Sequence, residues 1–178
     1  METIISLDLS TKSSGYAVFI NNELAGYGLI QSDKDDWRER LYEMGSQLGN
    51  VFDIYKPNKI YIEDVPLNPR GGVKTAVMLG AVQGIIYGVG ASRGIQMEFI
   101  LPSVWRSPLG LFDGSRKGTQ RDELKRKSVE KANELFKLDL IYKSPASKFN
   151  QDDMSDAILL GYSQIKPRAF GKKTYCNV

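Results

Sequence analysis

Apolar residues fall into short alternating or β-branched runs bounded by polar turns, interrupted by longer stretches that repeat at the helical period. Thr3–Asp8 (Thr-Ile-Ile-Ser-Leu-Asp) and Gly15–Ile20 (Gly-Tyr-Ala-Val-Phe-Ile) are two such runs, separated by Ser10-Thr11-Lys12-Ser13-Ser14. That is the pattern of a hairpin with a polar turn. Asn21-Asn22 predicts a second tight turn, into a strand over Leu24–Gln31, because asparagine tolerates positive φ. From Asp36 to Tyr55 the apolar positions Trp37, Leu41, Met44, Leu48, Val51 or Phe52, and Tyr55 paint one helical face, and Lys56-Pro57-Asn58 stops it. Lys59–Asp64 reads as a fourth strand that ends in paired acids, and Pro66–Gly72, with two prolines and a glycine pair, reads as a loop.

Val73–Ser92 is apolar on most faces and predicts a buried helix, with Gly80, Gly84 and Gly88 spaced by four along one stripe. Gln96–Leu101 is a fifth strand closed by Pro102, and a glycine- and serine-rich loop follows at Gly110–Gly118. Two helices, Thr119–Lys137 and Asp152–Ile165, finish the chain, with Ser144–Asn150 between them. Three consecutive antiparallel strands followed by alternating helices and strands predict an α/β architecture, a mixed five-stranded sheet flanked by helices. The order βββαβαβαα resembles the ribonuclease H-like fold. One domain is expected over 1–178, with a basic tail from about residue 166.

Composition narrows the chemistry. Of 178 residues none is histidine and one, Cys176, is cysteine. That excludes the usual Ser-His-Asp and Cys-His systems, an imidazole base and histidine-ligated zinc. Catalysis has to come from carboxylates, hydroxyls, lysines or an oxygen-bound metal such as magnesium or manganese. A single thiol allows no internal disulfide, the N-terminus lacks the basic and apolar regions of a signal peptide, and no apolar run is expected to span a membrane. A soluble cytoplasmic protein is the expectation.

The formal net charge of +3 conceals an asymmetry: residues 1–64 carry 6 basic and 11 acidic side chains, residues 65–178 carry 18 and 10. The basic excess concentrates in Arg106–Lys131 and Lys166–Lys173. An acidic region beside a basic one suits a protein that grips a polyanion and works on it with carboxylates; a solvated helix face and a charged tail are the plain alternative. Four acids are placed for such work. Asp8 ends the first strand on the side of Ile4, Glu63 lies in the fourth, and Asp153 and Asp156 face one way at i,i+3 in the last helix, with Asp152 and Asp156 as the other pairing. Each also has an ordinary explanation, turn-capping for Asp8, an edge-strand end for Glu63 and the helix dipole for Asp152, Asp153 and Asp156. Converging carboxylates repel one another, and Mg²⁺ relieves the repulsion. Two such ions about 3.5–4 Å apart hydrolyse phosphodiesters without any histidine.

The segments Asp8-Leu9-Ser10-Thr11-(x)₃-Gly15-Tyr16-Ala17, Ile60-Tyr61-Ile62-Glu63-Asp64-Val65, Ala76-(x)₂-Leu79-Gly80-(x)₃-Gly84 and Gln151-Asp152-Asp153-Met154-Ser155-Asp156-Ala157 together resemble the RuvC family of Holliday-junction resolvases. The resemblance runs from Thr3 to about Ile165 in the family's order, and the brevity and relaxed motifs resemble a bacteriophage-type member. It implies that Asp8, Glu63, Asp153 and Asp156 are catalytic and hold two Mg²⁺ ions, with Mn²⁺ able to substitute. It further implies a homodimer joined through the helix bearing Gly80 and Gly84, acting on branched DNA, with no membrane partner. Arg116, Lys117, Arg121, Lys125, Arg126 and Lys127 are the expected phosphate contacts. Three departures stand against the family pattern: Pro66 replaces an aromatic, the glycine- and lysine-bearing segment is poorly kept in Gly110–Val129, and no histidine accompanies the last aspartates. Broad cleavage of four-way and other branched DNA is therefore expected. The alternatives are a non-catalytic binder of branched DNA, or an actin- or sugar-kinase-like phosphate-binding domain. The latter needs two domains and more than ~300 residues.

Overall fold

A computed structural model describes residues 1–64, 72–112 and 119–165. In chain order its elements are β1 (Thr3–Asp8), β2 (Ser13–Ile20), β3 (Glu23–Gln31), α1 (Trp37–Tyr55), β4 (Lys59–Glu63), α2 (Val73–Ala91), β5 (Gln96–Ile100), α3 (Pro102–Arg106), α4 (Arg121–Phe136) and α5 (Asp152–Ile165). The strands form one sheet in the order β3-β2-β1-β4-β5. The β1–β2 and β2–β3 pairs are antiparallel, whereas β1–β4 and β4–β5 are parallel. This is the mixed sheet the element order predicts. Only α3 escaped the hydrophobic pattern, since five residues carry too little periodicity; Pro102 at its start suits a helical first turn.

Local chemistry explains the boundaries. Asn21 and Asn22 adopt φ of 49° and 70° and turn the chain from β2 into β3. Asp36 caps α1 by accepting from the backbone N–H of Arg38 at 2.8 Å and of Glu39 at 3.2 Å. Lys56, left-handed at φ 47°, ends the helix by donating its N–H to the Phe52 carbonyl. Buried Arg40 of α1 donates to the carbonyls of Thr11, Lys34 and Asp35, tying the β1–β2 turn to the approach to α1.

Strand alternation divides the core between the two sheet faces. Ile5, Leu7, Val18, Ile60 and Ile62 pack with Leu41, Met44, Leu48 and Phe52 of α1 and with Val82 and Ile86 of α2. Ile4, Ala17 and Phe19 pack on the opposite face with Trp105, Val129, Ala132, Met154, Ala157 and Ile158. Period two therefore sends Ile4, Ser6 and Asp8 to the α5 face. Helix α5 approaches this face closely. A Cβ on Gly161 would sit 2.4 Å from a Phe19 ring carbon and 2.5 Å from Ser6 Oγ, and one on Gly15 would sit 1.9 Å from the Asp153 carbonyl oxygen. Ser6 Oγ donates to the Ala157 carbonyl at 2.6 Å across the same contact.

Helix α2 departs from expectation. It is not buried: only Val82, Ile86 and Gly90 are enclosed, while Val73 is 82% exposed and Val77 and Tyr87 are each 56% exposed. Its length and composition would also allow it to cross a membrane, contrary to the absence of such a run expected from the sequence. Gly80, Gly84 and Gly88 have open space where a Cβ would stand, so they do not serve packing on their own sheet. The close approaches on this side belong to Gly45 of α1, against Ile85, and to Gly90, against Met97.

Because neither Phe19 nor the Ser6 hydroxyl has room to retreat, Gly161→Ala is expected to lower stability by about 1–3 kcal/mol in urea unfolding. An unchanged midpoint would show that α5 sits farther from the sheet.

Candidate active site

Neighbouring parallel strands carry the first two acids to one place. β1 and β4 are in register at Leu7↔Ile62, so Asp8 and Glu63, one residue on, occupy adjacent positions at the carboxyl ends of their strands. On the other side of β1, Asp8 pairs with Gly15, the residue on which the Asp153 carbonyl rests. The first turn of α5 thus lies on the Asp8–Gly15 pair, and helical spacing turns Asp153 and Asp156 toward Asp8. The structure brings together all four acids singled out in the sequence. Asp152 diverges: it is buried and paired with Lys125 of α4, and it does not figure among the carboxylates that act on Asp8.

The electrostatics are those of crowded like charges. Burial, then the carboxylates of Glu63, Asp156 and Asp153, push the pKa of Asp8 well above its ordinary value, with Arg106 opposing. Burial raises Glu63 to about 7 against the pull of Arg106, and Asp156 adds to the rise. Burial and then Asp152 raise Asp153 to about 6, opposed by Lys125 and a hydrogen bond with Ser13. Asp156 is raised by burial although Arg106 and Ser128 both favour its ionised form.

One cation sits inside the cluster, and sequence reasoning did not single it out. Arg106, the last residue of α3, places Nη2 2.9 Å from Asp156 Oδ2 and 3.2 Å from Glu63 Oε2. All three side chains are largely enclosed, at 18%, 9% and 14% exposure. Burial disfavours the charged guanidinium, yet Asp156, Glu63 and Asp8 together raise its pKa. Trp105, fully buried, donates Nε1–H to Glu63 Oε2 at 2.8 Å, and the Ser128 hydroxyl of α4 donates to Asp156 Oδ1. The signal was positional: Trp105-Arg106 follows the strand beside Glu63, where a sheet's carboxyl edge opens. In the sequence Arg106 was one of many charges in a basic run.

Among the described residues, Asp8 has no hydrogen-bond donor or ion-pair partner of its own, whereas Glu63 and Asp156 each have two donors. The donors available to an ion are all carboxylate oxygens, the set preferred by hard cations such as Mg²⁺ and Mn²⁺. Among the described residues no three acids are arranged to hold an ion, and the Arg106 guanidinium takes oxygens from two of the four. The residues fit such an ion by chemistry and burial, on condition that the guanidinium gives up at least one carboxylate.

The expected phosphate contacts are placed less uniformly. Arg121 is exposed at the start of α4. Arg126 and Lys127 lie one turn on, paired with Glu130 at 2.5 Å and Glu123 at 2.8 Å. Such i,i+4 surface pairs are weak, and a phosphate can replace the acid. Lys125 instead turns inward to Asp152, so it belongs to the rim of the acidic cluster rather than to an open face. Arg116, Lys117, Pro66 and the basic tail from residue 166 lie outside the described residues.

Comparisons with known proteins bear on the family and the fold. The family model for crossover junction endodeoxyribonuclease RuvC matches residues 4–109. A RuvC from Dictyoglomus thermophilum is 25% identical over 169 residues, covering 91% of this chain and 95% of that protein. One from Nitratidesulfovibrio vulgaris is 26% identical over 111 residues, and the match spans 60% of this chain and 66% of the relative. Among solved structures, T. thermophilus RuvC in complex with a Holliday junction substrate superposes with a TM-score of 0.66 at 12% identity, over 92% of each chain. The Fowlpox virus resolvase with its Holliday junction DNA gives 0.54 at 18% identity, over 91% of this chain and 95% of that one. At those identities the structural likeness is one of fold, and it meets the expectation drawn from the order of elements. The family model spans more than half of the chain, and by that match the protein belongs to the RuvC family.

Proposed function

We propose that the protein is a metal-dependent, structure-selective endodeoxyribonuclease that cuts Holliday junctions and other branched DNA in recombination and replication processing, as a homodimer in the cytoplasm. The observation that carries this reading is the convergence of Asp8, Glu63, Asp153 and Asp156 at one end of the sheet, with raised pKa values and one guanidinium among them. These four are the catalytic and metal-holding residues, for two Mg²⁺ ions or Mn²⁺ in their place. When bound, such ions supply charge neutralisation at the scissile phosphate and activation of a water. Asp8, lacking a donor of its own, is the carboxylate left to face them. Trp105 and Ser128 hold Glu63 and Asp156 in fixed orientations, so two of the ligands are preset. Arg106 is shared between Glu63 and Asp156, and where a cation held those carboxylates its guanidinium would be available to a phosphate oxygen.

Arg121, Arg126 and Lys127, with Lys125 at the rim and Arg116 and Lys117 beyond the described residues, form the phosphate-gripping surface. The exposed stripe of α2 bearing Gly80 and Gly84 is the dimer surface: its apolar side chains need cover, and open glycines let two helices approach. A second reading, a catalytically silent binder of branched DNA, is favoured by the guanidinium that occupies two of the four acids.

Asp8→Asn and Glu63→Gln are each expected to abolish Mg²⁺-dependent nicking of a labelled four-way junction while leaving junction affinity within about threefold. Cleavage that survives both substitutions overturns the assignment, and a wild type inactive with either Mg²⁺ or Mn²⁺ establishes the silent binder.

Acidity gives a second test, on the metal-free protein. Unfolded, Glu63 titrates near 4.5; folded, near 7. A carboxyl raised in the folded state adds stability that is full below the unfolded value and is lost as pH climbs through the folded one. In EDTA, stability should fall between about pH 4.5 and 7 by on the order of 2–3 kcal/mol from Glu63. Asp153 adds loss up to about pH 6. Thermal melts should show a shallower decline for Glu63→Gln than for wild type; parallel profiles would mean that Glu63 is not held in a crowded site.

Sedimentation provides the third. Gly84→Arg should turn a dimer into a monomer that still melts cooperatively, at a temperature no longer dependent on protein concentration, and a persistent dimer would place the interface elsewhere.

A further inference from the structure

Residues 141–150, between α4 and α5, form neither helix nor strand, yet they are closely pinned. Gln151 closes the base by donating its N–H to the Ile141 carbonyl at 2.9 Å and accepting the Ile141 N–H on Oε1 at 2.8 Å. Asn150 braces the middle, accepting from Lys143 N on Oδ1 at 2.9 Å and donating Nδ2–H to the Ser144 carbonyl at 2.7 Å. The Phe149 N–H donates to Ser147 Oγ at 3.2 Å. What this bracing displays is an aromatic ring: Phe149 is 60% exposed.

Two cations attend the ring. Lys143 Nζ lies 5.1 Å and Lys148 Nζ 5.4 Å from its centroid. Among the described residues neither lysine has a carboxylate partner, in contrast to Lys125, Arg126, Lys127 and Lys131 of α4. The loop also leads into the helix that carries Asp153 and Asp156. It runs straight into Asp152, and four residues from Phe149 to Asp153 span at most ~14 Å. Burial, then Asp122 and Asp152, raise the Tyr142 phenol against the pull of Lys125, which sets the base of the loop near the first turns of α4 and α5.

We propose that Phe149, Lys143 and Lys148 form a further nucleic-acid contact, in which an unpaired or splayed base of branched DNA stacks on the Phe149 ring and the flanking phosphates meet the two lysines. The inference rests on the reading of the protein as acting on branched DNA, and deepens it by naming the part of the substrate this loop takes. Relative strengths support the exchange. An exposed cation–π contact is worth a factor of about two to five, and stacking of one base on an aromatic ring about five to a hundred. A base can therefore displace a lysine from the ring, and the freed ammonium then has a phosphate to neutralise. Without nucleic acid the lysines shield an otherwise bare aromatic. A fully paired duplex offers no unstacked base, so the site discriminates structure rather than sequence.

The test uses the full chain in EDTA, where binding is separated from cleavage. Fluorescence anisotropy is measured on a four-way junction and a linear duplex, and 2-aminopurine placed at the branch reports stacking. Phe149→Ala should weaken junction binding about tenfold and duplex binding less than twofold, with loss of the 2-aminopurine response and an unchanged melting temperature. Phe149→Trp should restore both signals, and Lys143→Ala or Lys148→Ala should each reduce the salt slope of junction binding by about 1. Equal affinities for wild type and Phe149→Ala, or an equal loss on junction and duplex, would overturn the proposal. Cleavage in Mg²⁺ is scored separately. A wild type that binds through Phe149 and cuts nothing sinks the nuclease reading and supports this contact, whereas one that cuts junctions and is indifferent to Phe149→Ala overturns this contact alone.

Discussion

Helix α5 lies on β1 and β2 at a separation that only glycine permits, and the arrangement of the acids depends on it. Gly15 accepts the Asp153 carbonyl where any side chain would collide, Gly161 accepts the Phe19 ring and the Ser6 hydroxyl, and the Ser6–Ala157 hydrogen bond fixes the helix along its axis. Since Gly15 is the cross-strand partner of Asp8, this contact also sets how far Asp153 and Asp156 stand from the β1 carboxylate. Packing and electrostatics meet here. The hydrophobic face of α5 supplies the force that drives like charges together, and the glycines decide how closely.

That crowding has a counterweight. Buried carboxylates without cations ordinarily protonate, and the raised values of Glu63 and Asp153 are the partial expression of that tendency. Arg106 limits it by sharing one guanidinium between Glu63 and Asp156, and Lys125 does the same for Asp152 at the rim. Neither cation serves Asp8 by direct contact. The result is a graded cluster in which two acids are oriented and neutralised, one is held by Ser13, and one is bare.

Much of this was legible in the residues. Alternation in Thr3–Asp8 assigned Asp8 to the same side as Ile4, and the i,i+3 spacing in α5 paired Asp153 with Asp156; both readings use only the strand and helix periods. Where periodicity is silent, the reading failed. α3 is too short to show a pattern, so Trp105 and Arg106 remained an aromatic and a charge without a place. α2 looked buried because it is apolar, but burial depends on what covers a surface, and α1 and the sheet cover only one side of it. Glycine spacing likewise says little about contacts: the regular Gly80-Gly84-Gly88 stripe drew notice and has open space around it, while close approaches within the chain fall at irregularly spaced glycines such as Gly15, Gly28, Gly45, Gly90 and Gly161. Whether Lys125 faces solvent or Asp152 is likewise a question of neighbours from a distant segment.

The seat of α5 on Gly15 joins one of the first strands of the chain to its last described helix. A contact of such long sequence separation forms only after the intervening loops have closed, the slow part of folding. During synthesis, the sheet and α1 can assemble while residues 152–165 are still inside the ribosome, but the acidic cluster cannot. The acidic cluster is thus incomplete until α5 docks, and the same geometry makes that docking a checkpoint: a molecule whose α5 has frayed has lost two of its four central acids at once.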